Sequence, residues 1–161
     1  MLIIVTGVSG TGKTTIASGL ADHFNLPFFD ADHFHQAENI EKMSQGIPLD
    51  DLDRMPWLQA LADKLIESKQ TGGAVLACSA LKESYRKILN VSNEVSWIHL
   101  KGDREVIWER MLARKNHYMK AGMLDSQIAT WEDPDYGLHL SIRQTPEAMI
   151  KEAVAYLQLK A

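Results

Sequence analysis

The sequence predicts a three-layer α/β/α domain built on a mostly parallel five-stranded sheet. Three observations predict it: short, uniformly apolar runs that recur along the chain, helix-spaced apolar sets between them, and a glycine-rich turn joining the first run to the first set. Parallel neighbours need a crossover, so strands alternating with helices imply a sheet covered on both faces. The length of 161 residues fits one domain over 1–161, and no repeat, low-complexity tract or linker-like run divides it.

Leu2 to Thr6 is a short run, apolar up to its final threonine and rich in β-branched residues, the pattern of a strand buried on both faces. Ile16, Ala17, Leu20, Ala21 and Phe24 then fall at helical spacing, and Pro27-Phe28-Phe29 leads a second strand into Asp30. Trp57, Leu58, Leu61, Ala62, Leu65 and Ile66 form the apolar face of a long helix ending near Gly72-Gly73. Ala74 to Cys78 and Val95 to Leu100 are the third and fourth strands, with Val106, Ile107, Arg110, Met111 and Arg114 on the helix that follows. Leu138 to Ile142 completes the sheet. Thr145-Pro146 reads as an N-cap and first helical residue, opening a last helix with Met149, Ile150, Ala153, Val154 and Leu157 inward.

With 45% apolar and 24% charged residues the composition is that of a globular domain, not a disordered chain. Seventeen Lys+Arg against twenty-one Asp+Glu leave a formal charge of −4, so no excess of positive charge draws the chain to nucleic acid or membrane, and neither is expected as a partner. Any anion site must be local. The single cysteine, Cys78, permits no intramolecular disulfide, and the N-terminus carries no basic leader; a cytoplasmic location is expected.

Gly7-Val8-Ser9-Gly10-Thr11-Gly12-Lys13-Thr14 matches G-x-x-x-x-G-K-[ST] between a predicted strand and a predicted helix, and a chance match in a chain of this length is below about 1%. The glycines let successive amides face one phosphate, and the helix turns its positive end to the same anion. Lys13 is expected to reach the β- and γ-phosphates, Thr14 to ligate Mg²⁺, and Thr15 to place a hydroxyl near the α-phosphate. The loop therefore predicts ATP and Mg²⁺.

Asp30-Ala31-Asp32 stands just past the second strand, where open α/β sheets bind their ligands. In extended chain the two carboxylates point the same way: Asp30 toward Mg²⁺ through its waters, Asp32 toward the proton of an attacking hydroxyl. A turn or helix-capping pair is the alternative. The third strand carries no aspartate for the metal, which leaves Asp30 as its best support. Cys78, at an apolar strand end, reads as packed thiol more readily than as nucleophile.

Arg54 stands at a helix entrance, and Lys82 and Arg86, four apart, are expected to share one helix face. Together they suit a small anionic acceptor, while individually each also reads as a surface charge. His35 is placed to hydrogen-bond a sugar hydroxyl or, equally, to cap a turn. Arg110 and Arg114 lie near the end of a helix that runs into Lys115-Asn116-His117-Tyr118, a polar segment suited to a lid over approximately 115–131; ordinary charges at a helix C-terminus are the alternative.

The P-loop, Asp30-Ala31-Asp32-His33-Phe34-His35, Asn39-Ile40-Glu41-Lys42-Met43, Gly46-Ile47-Pro48-Leu49, Asp53-Arg54-Met55-Pro56-Trp57-Leu58 and Cys78-Ser79-Ala80-Leu81-Lys82 together resemble the gluconokinases, small P-loop kinases that phosphorylate D-gluconate on its 6-hydroxyl with ATP. Tyr85-Arg86, Leu100-Lys101-Gly102, Arg110 to His117 and Leu124 to Gln127 continue the resemblance. It implies a nucleoside monophosphate kinase-like fold with a helical lid, dependence on Mg²⁺ and a possible homodimer. It also implies that Arg110 stacks on adenine and that Arg114 is the lid arginine. The chain departs from the family pattern at Ala31, where glycine is usual, and at Gln36, where proline is usual. Shikimate and adenylylsulfate kinases share such a P-loop, and a non-catalytic ATP-binding module is the alternative from another class.

Overall fold

The computed structural model describes residues 1–114 and 121–161. Its five strands are β1 (Leu2–Thr6), β2 (Phe28–Asp30), β3 (Ala74–Ala77), β4 (Val95–Lys101) and β5 (Leu138–Ser141). They form one sheet in the order β2-β3-β1-β4-β5, every neighbouring pair parallel. The helices are α1 (Lys13–Phe24), α2 (Ala37–Ser44), α3 (Asp51–Gln70), α4 (Glu83–Leu89), α5 (Arg104–Leu112), α6 (Ala121–Thr130) and α7 (Pro146–Lys160). Among the described residues no helix is long and apolar enough to cross a membrane.

All five residues of β1 and all four of β3 are buried, as a strand covered on both faces requires. Chain order turns outward from β1 to β2 and then, after β3, to the other side with β4, so the sheet switches direction at the carboxyl end of β1. Open α/β sheets leave a crevice at that point. The segment after β1 is the glycine-rich loop.

Several elements differ from the sequence expectation. Ile66 lies outward on α3, 48% exposed, while Trp57, Leu58, Leu61, Ala62 and Leu65 are buried as the spacing implied. The 3₁₀ turn at Ala31–Phe34 and the short α2 carry too few apolar residues to announce themselves. Asp50 caps α3 and Asp53 reaches back to the Asp50 amide, a reciprocal box that stabilises the helix entrance by about 1 kcal/mol. That cap fixes where Arg54 begins.

Two expected helical pairs are broken by helix ends. Lys82 is the extended N-cap residue of α4, so it does not share a helix face with Arg86. Arg114 lies beyond Ala113, the C-cap of α5, and so is not on the helix that carries Arg110.

Candidate active site

The loop's tight path depends on glycine. Gly10 has φ of 81°, and a Cβ there would fall 2.7 Å from Met111 Cγ. Gly7, with φ of 150°, would bring a Cβ within 2.7 Å of Thr11 Oγ1. Gly12 begins α1 in the left-handed region with no side-chain cap, which leaves the helix's first amides for an anion. Val8 O accepts from both Thr11 Oγ1 at 2.8 Å and Lys13 Nζ at 3.1 Å, holding the lysine folded over the loop. Burial lowers the Lys13 pKa, against the opposing pull of the Asp32 and Asp30 carboxylates.

Two adjoining cavities meet here. The one against the loop is lined by Ser9, Gly10, Gly12, Lys13, Thr14, Asp30, Asp32, Ala77 and Arg114. The second is lined by Ser9, Lys13, Asp32, His35, Met43, Leu49, Arg54, Trp57, Ser79, Leu81, Met123 and Gln127. Ser9, Lys13 and Asp32 belong to both, so the junction lies between a loop amide, a cation and a carboxylate. A more apolar cavity also borders the loop, at Val8 and Thr11, and is lined further by Leu100, Ile107, Ile128 and Trp131, without Lys13, Asp30 or Asp32.

Asp30 sits in extended chain as expected, but Asp32 lies in a 3₁₀ turn. Asp30 ends β2 and caps the 3₁₀ turn: its Oδ1 accepts from Asp32 N at 2.9 Å, while its Oδ2 accepts from Thr14 Oγ1 at 3.2 Å. The turn nevertheless brings Asp32 to the same cavity as Asp30. Thr14 hydroxyl and Asp30 carboxylate form a hard-oxygen pair beside the loop, which fits a Mg²⁺ that draws its other ligands from phosphate and water.

His35 stacks on Trp57 with centroids 4.2 Å apart and 14° between planes. Asn39 Nδ2 donates to its Nδ1 at 3.4 Å. Burial, seconded by Arg54, pushes the His35 pKa down to about 4, so the ring is neutral near pH 7. Trp57 Nε1 donates to Ala31 O at 2.7 Å, tying α3 to the aspartate turn. Arg54, 9% exposed, donates to Tyr85 Oη at 2.9 Å and lines the second cavity but not the first.

The other two expected acceptor cations are corrected in part. Lys82 lies further out, in a shallow cavity that shares Leu49 and Arg54 with the acceptor cavity, and binds Asp51 at 3.0 Å. Arg86 does not line either cavity of the site. It is 1% exposed, and its guanidinium is occupied by Ala80 O, Leu81 O, Glu132 O, Tyr136 Oη and Glu83. Each nitrogen of the fork already donates to a protein acceptor, so the fork is turned into the protein and not toward a substrate carboxylate.

Arg110 Nη2 donates to Ile142 O at 2.6 Å, between α5 and the end of β5. Thr15 is exposed at the start of α1, and Val8 is buried beneath the loop. Of the expected lid over 115–131, α6 covers Ala121–Thr130, and residues 115–120 lie outside the described residues. Cys78 is 1% exposed and burial pushes its thiol up to about 12, which makes it a packed group and no nucleophile at neutral pH. Sequence reasoning passed over Tyr85, Asp51 and Gln127 as site residues; none carries a local signal beyond lying in or near the blocks that resemble the family.

A phosphate loop at the switch point of a parallel sheet, opening onto a second cavity lined by a carboxylate and an arginine, defines a small-molecule P-loop kinase. The family model for shikimate kinase matches residues 9–138. The gluconokinase of Gluconobacter oxydans is 40% identical over 161 residues, covering 97% of this chain and 90% of that one. Among solved structures, a gluconokinase from Sinorhizobium meliloti superposes with a TM-score of 0.90 at 37% identity, over 99% of this chain and 93% of its own. A sugar kinase from a Janibacter species reaches 0.91 at 46% identity, over 97% and 93%. The chain belongs to the gluconokinase family.

Proposed function

We propose that this chain transfers the terminal phosphoryl group of ATP to the 6-hydroxyl of D-gluconate. The observation that carries the reading is that Asp32 and Lys13 line both the phosphate cavity and the acceptor cavity, and that Arg54 lines the acceptor cavity alone. A monoanionic polyol needs a cation for its carboxylate and a carboxylate beside its reacting hydroxyl. Arg54 supplies the first, with Lys82 further out at the mouth, and Asp32 the second.

The acceptor oxygen forms a bond to the terminal phosphorus as the bridge to the leaving ADP breaks. Asp32 orients the hydroxyl and takes its proton, and neutral His35 hydrogen-bonds a substrate hydroxyl. Gly7, Val8, Ser9, Gly10, Thr11 and Gly12 with Thr15 cradle the phosphates, while Lys13 meets the β- and γ-phosphates. Arg114 neutralises charge on the transferring group, and Arg110 lies against adenine. Thr14, directly, and Asp30, through water, would hold Mg²⁺, which when bound spreads the phosphate charge. An ATP-rich, reducing cytoplasm and a homodimer belong to the same reading, the latter carried from the family resemblance.

The test is ADP release by the purified chain with gluconate, shikimate or adenylylsulfate as acceptor. Turnover with gluconate is expected. Turnover with shikimate or adenylylsulfate and none with gluconate would reassign the acceptor.

A further inference from the structure

α6 presents Met123, Leu124 and Gln127 to the interior, and Gln127 is only 8% exposed. A buried amide is tolerated when it is hydrogen-bonded, and its bond here reaches far across the chain. Gln127 Oε1 accepts from Ser9 N at 2.9 Å, between residues 118 apart. Ser9 is the third residue of the phosphate loop and lines both cavities, and Gln127 lines the acceptor cavity beside Lys13 and Asp32.

The helix that carries this side chain is itself held. Arg104 of α5 pairs with Asp125, Trp131 N donates to Gln127 O at 2.9 Å, and Glu132 N donates to Leu81 O at 2.8 Å. Gln127 is thus a fixed strut and not a surface side chain that happens to reach the loop. Amides of such loops commonly point at phosphate; this one is turned to α6 instead, and because Ser9 lines both cavities, holding it fixes the path of the loop where they meet.

We propose that Gln127 is a positioning residue for phosphoryl transfer: by holding Ser9 N–H from α6, it sets where the terminal phosphoryl stands relative to the acceptor hydroxyl beside Asp32. The inference rests on the kinase reading above. A displacement of about 1 Å at the reacting centre costs on the order of 100-fold in rate, whereas binding contacts elsewhere are untouched.

The test compares Gln127→Met, which keeps length and loses the acceptor oxygen, with Gln127→Glu, which keeps the oxygen and adds charge. In Gln127→Met, kcat is expected to fall about 10- to 100-fold with each KM within about threefold and the melting temperature nearly unchanged. The Ser9 amide resonance of the nucleotide-free protein is expected to lose its hydrogen-bonded shift. In Gln127→Glu that shift is kept, while KM for ATP rises through repulsion of the phosphates. Gln127→Met with kcat within twofold of wild type overturns the proposal. So does a loss of kcat that merely follows a lowered melting temperature, or an identical kinetic profile in the two variants. Wild-type inactivity toward gluconate sinks the functional reading instead, and the same comparison then applies with whichever acceptor is phosphorylated.

Discussion

Replacing Arg86 by methionine is expected to destabilise the protein and leave acceptor binding intact. The guanidinium donates from Nε to Tyr136 Oη at 3.1 Å and Glu83 Oε2 at 3.3 Å, from Nη1 to Ala80 O at 2.7 Å, and from Nη2 to Glu132 O at 2.6 Å. Its cationic carbon also lies 5.3 Å from the Trp131 ring centroid. Methionine fills part of the volume but supplies no donor, so the main-chain carbonyls of Ala80, Leu81 and Glu132 lose this partner in a buried site, while Tyr136 Oη keeps Glu83. Each such group left unpaired costs about 1–3 kcal/mol, and removing one side of a buried charged network costs about 3–5 kcal/mol in all. For a domain of this size that corresponds to a melting temperature lower by about 6–20 °C. Calorimetry gives the shift, and initial rates well below the transition give KM for gluconate, expected within about twofold of wild type. A tenfold rise in KM at an unchanged melting temperature would show that the guanidinium holds substrate, and the reassignment of Arg86 would fail.

Asp32→Asn keeps the shape of the turn and removes the charge; kcat is expected to fall at least 100-fold with KM for ATP within about threefold, as steady-state kinetics will show. Cys78→Ala is expected to leave kcat within twofold, because a thiol held near 12 by burial takes no part at neutral pH, and alkylation-independent activity of the variant checks it. His99 is fully buried, shares a 2.6 Å hydrogen bond with Thr6 Oγ1, and has its pKa pushed down to about 3 by burial first and then by His139. Between about pH 6.5 and 3 the unfolded chain therefore binds a proton at His99 that the native protein refuses. Stability contributed by the neutral ring is full above pH 6.5 and is lost as pH falls through that window. In His99→Leu the melting temperature is expected to start lower at pH 7 and to fall less steeply over the same range.

What was legible in the sequence is what the chain encodes locally. The P-loop carries its own geometry in eight consecutive residues, and the buried strands announce themselves by unbroken apolar runs. The cations were harder because an i, i+4 pair shares a face only when one helix spans both residues. After β3, Ala80 adopts φ of 42° and the chain turns before α4 starts at Glu83, so Lys82 stays at the rim and Arg86, one turn in, is buried. The same failure separated Arg110 from Arg114 at the end of α5. Gln127 was illegible for a different reason: its partner is an amide 118 residues away, and no periodicity or propensity reports a contact made by tertiary packing.

The aspartate pair removes an opposition that the sequence alone suggested, between a capping role and a catalytic one. Asp30 divides its two oxygens, one accepting the Asp32 amide and the other the Thr14 hydroxyl. The first bond closes the 3₁₀ turn that carries Asp32 to the cavity junction, and Trp57 fixes the same turn from α3 through Ala31 O. The second bond faces the loop that receives the phosphates. Capping is therefore the means by which the site is assembled. It also accounts for alanine being accommodated at position 31, where the family pattern favours glycine: Ala31 begins a right-handed 3₁₀ turn and packs its methyl in the core at 1% exposure, so no left-handed backbone demands the smaller residue.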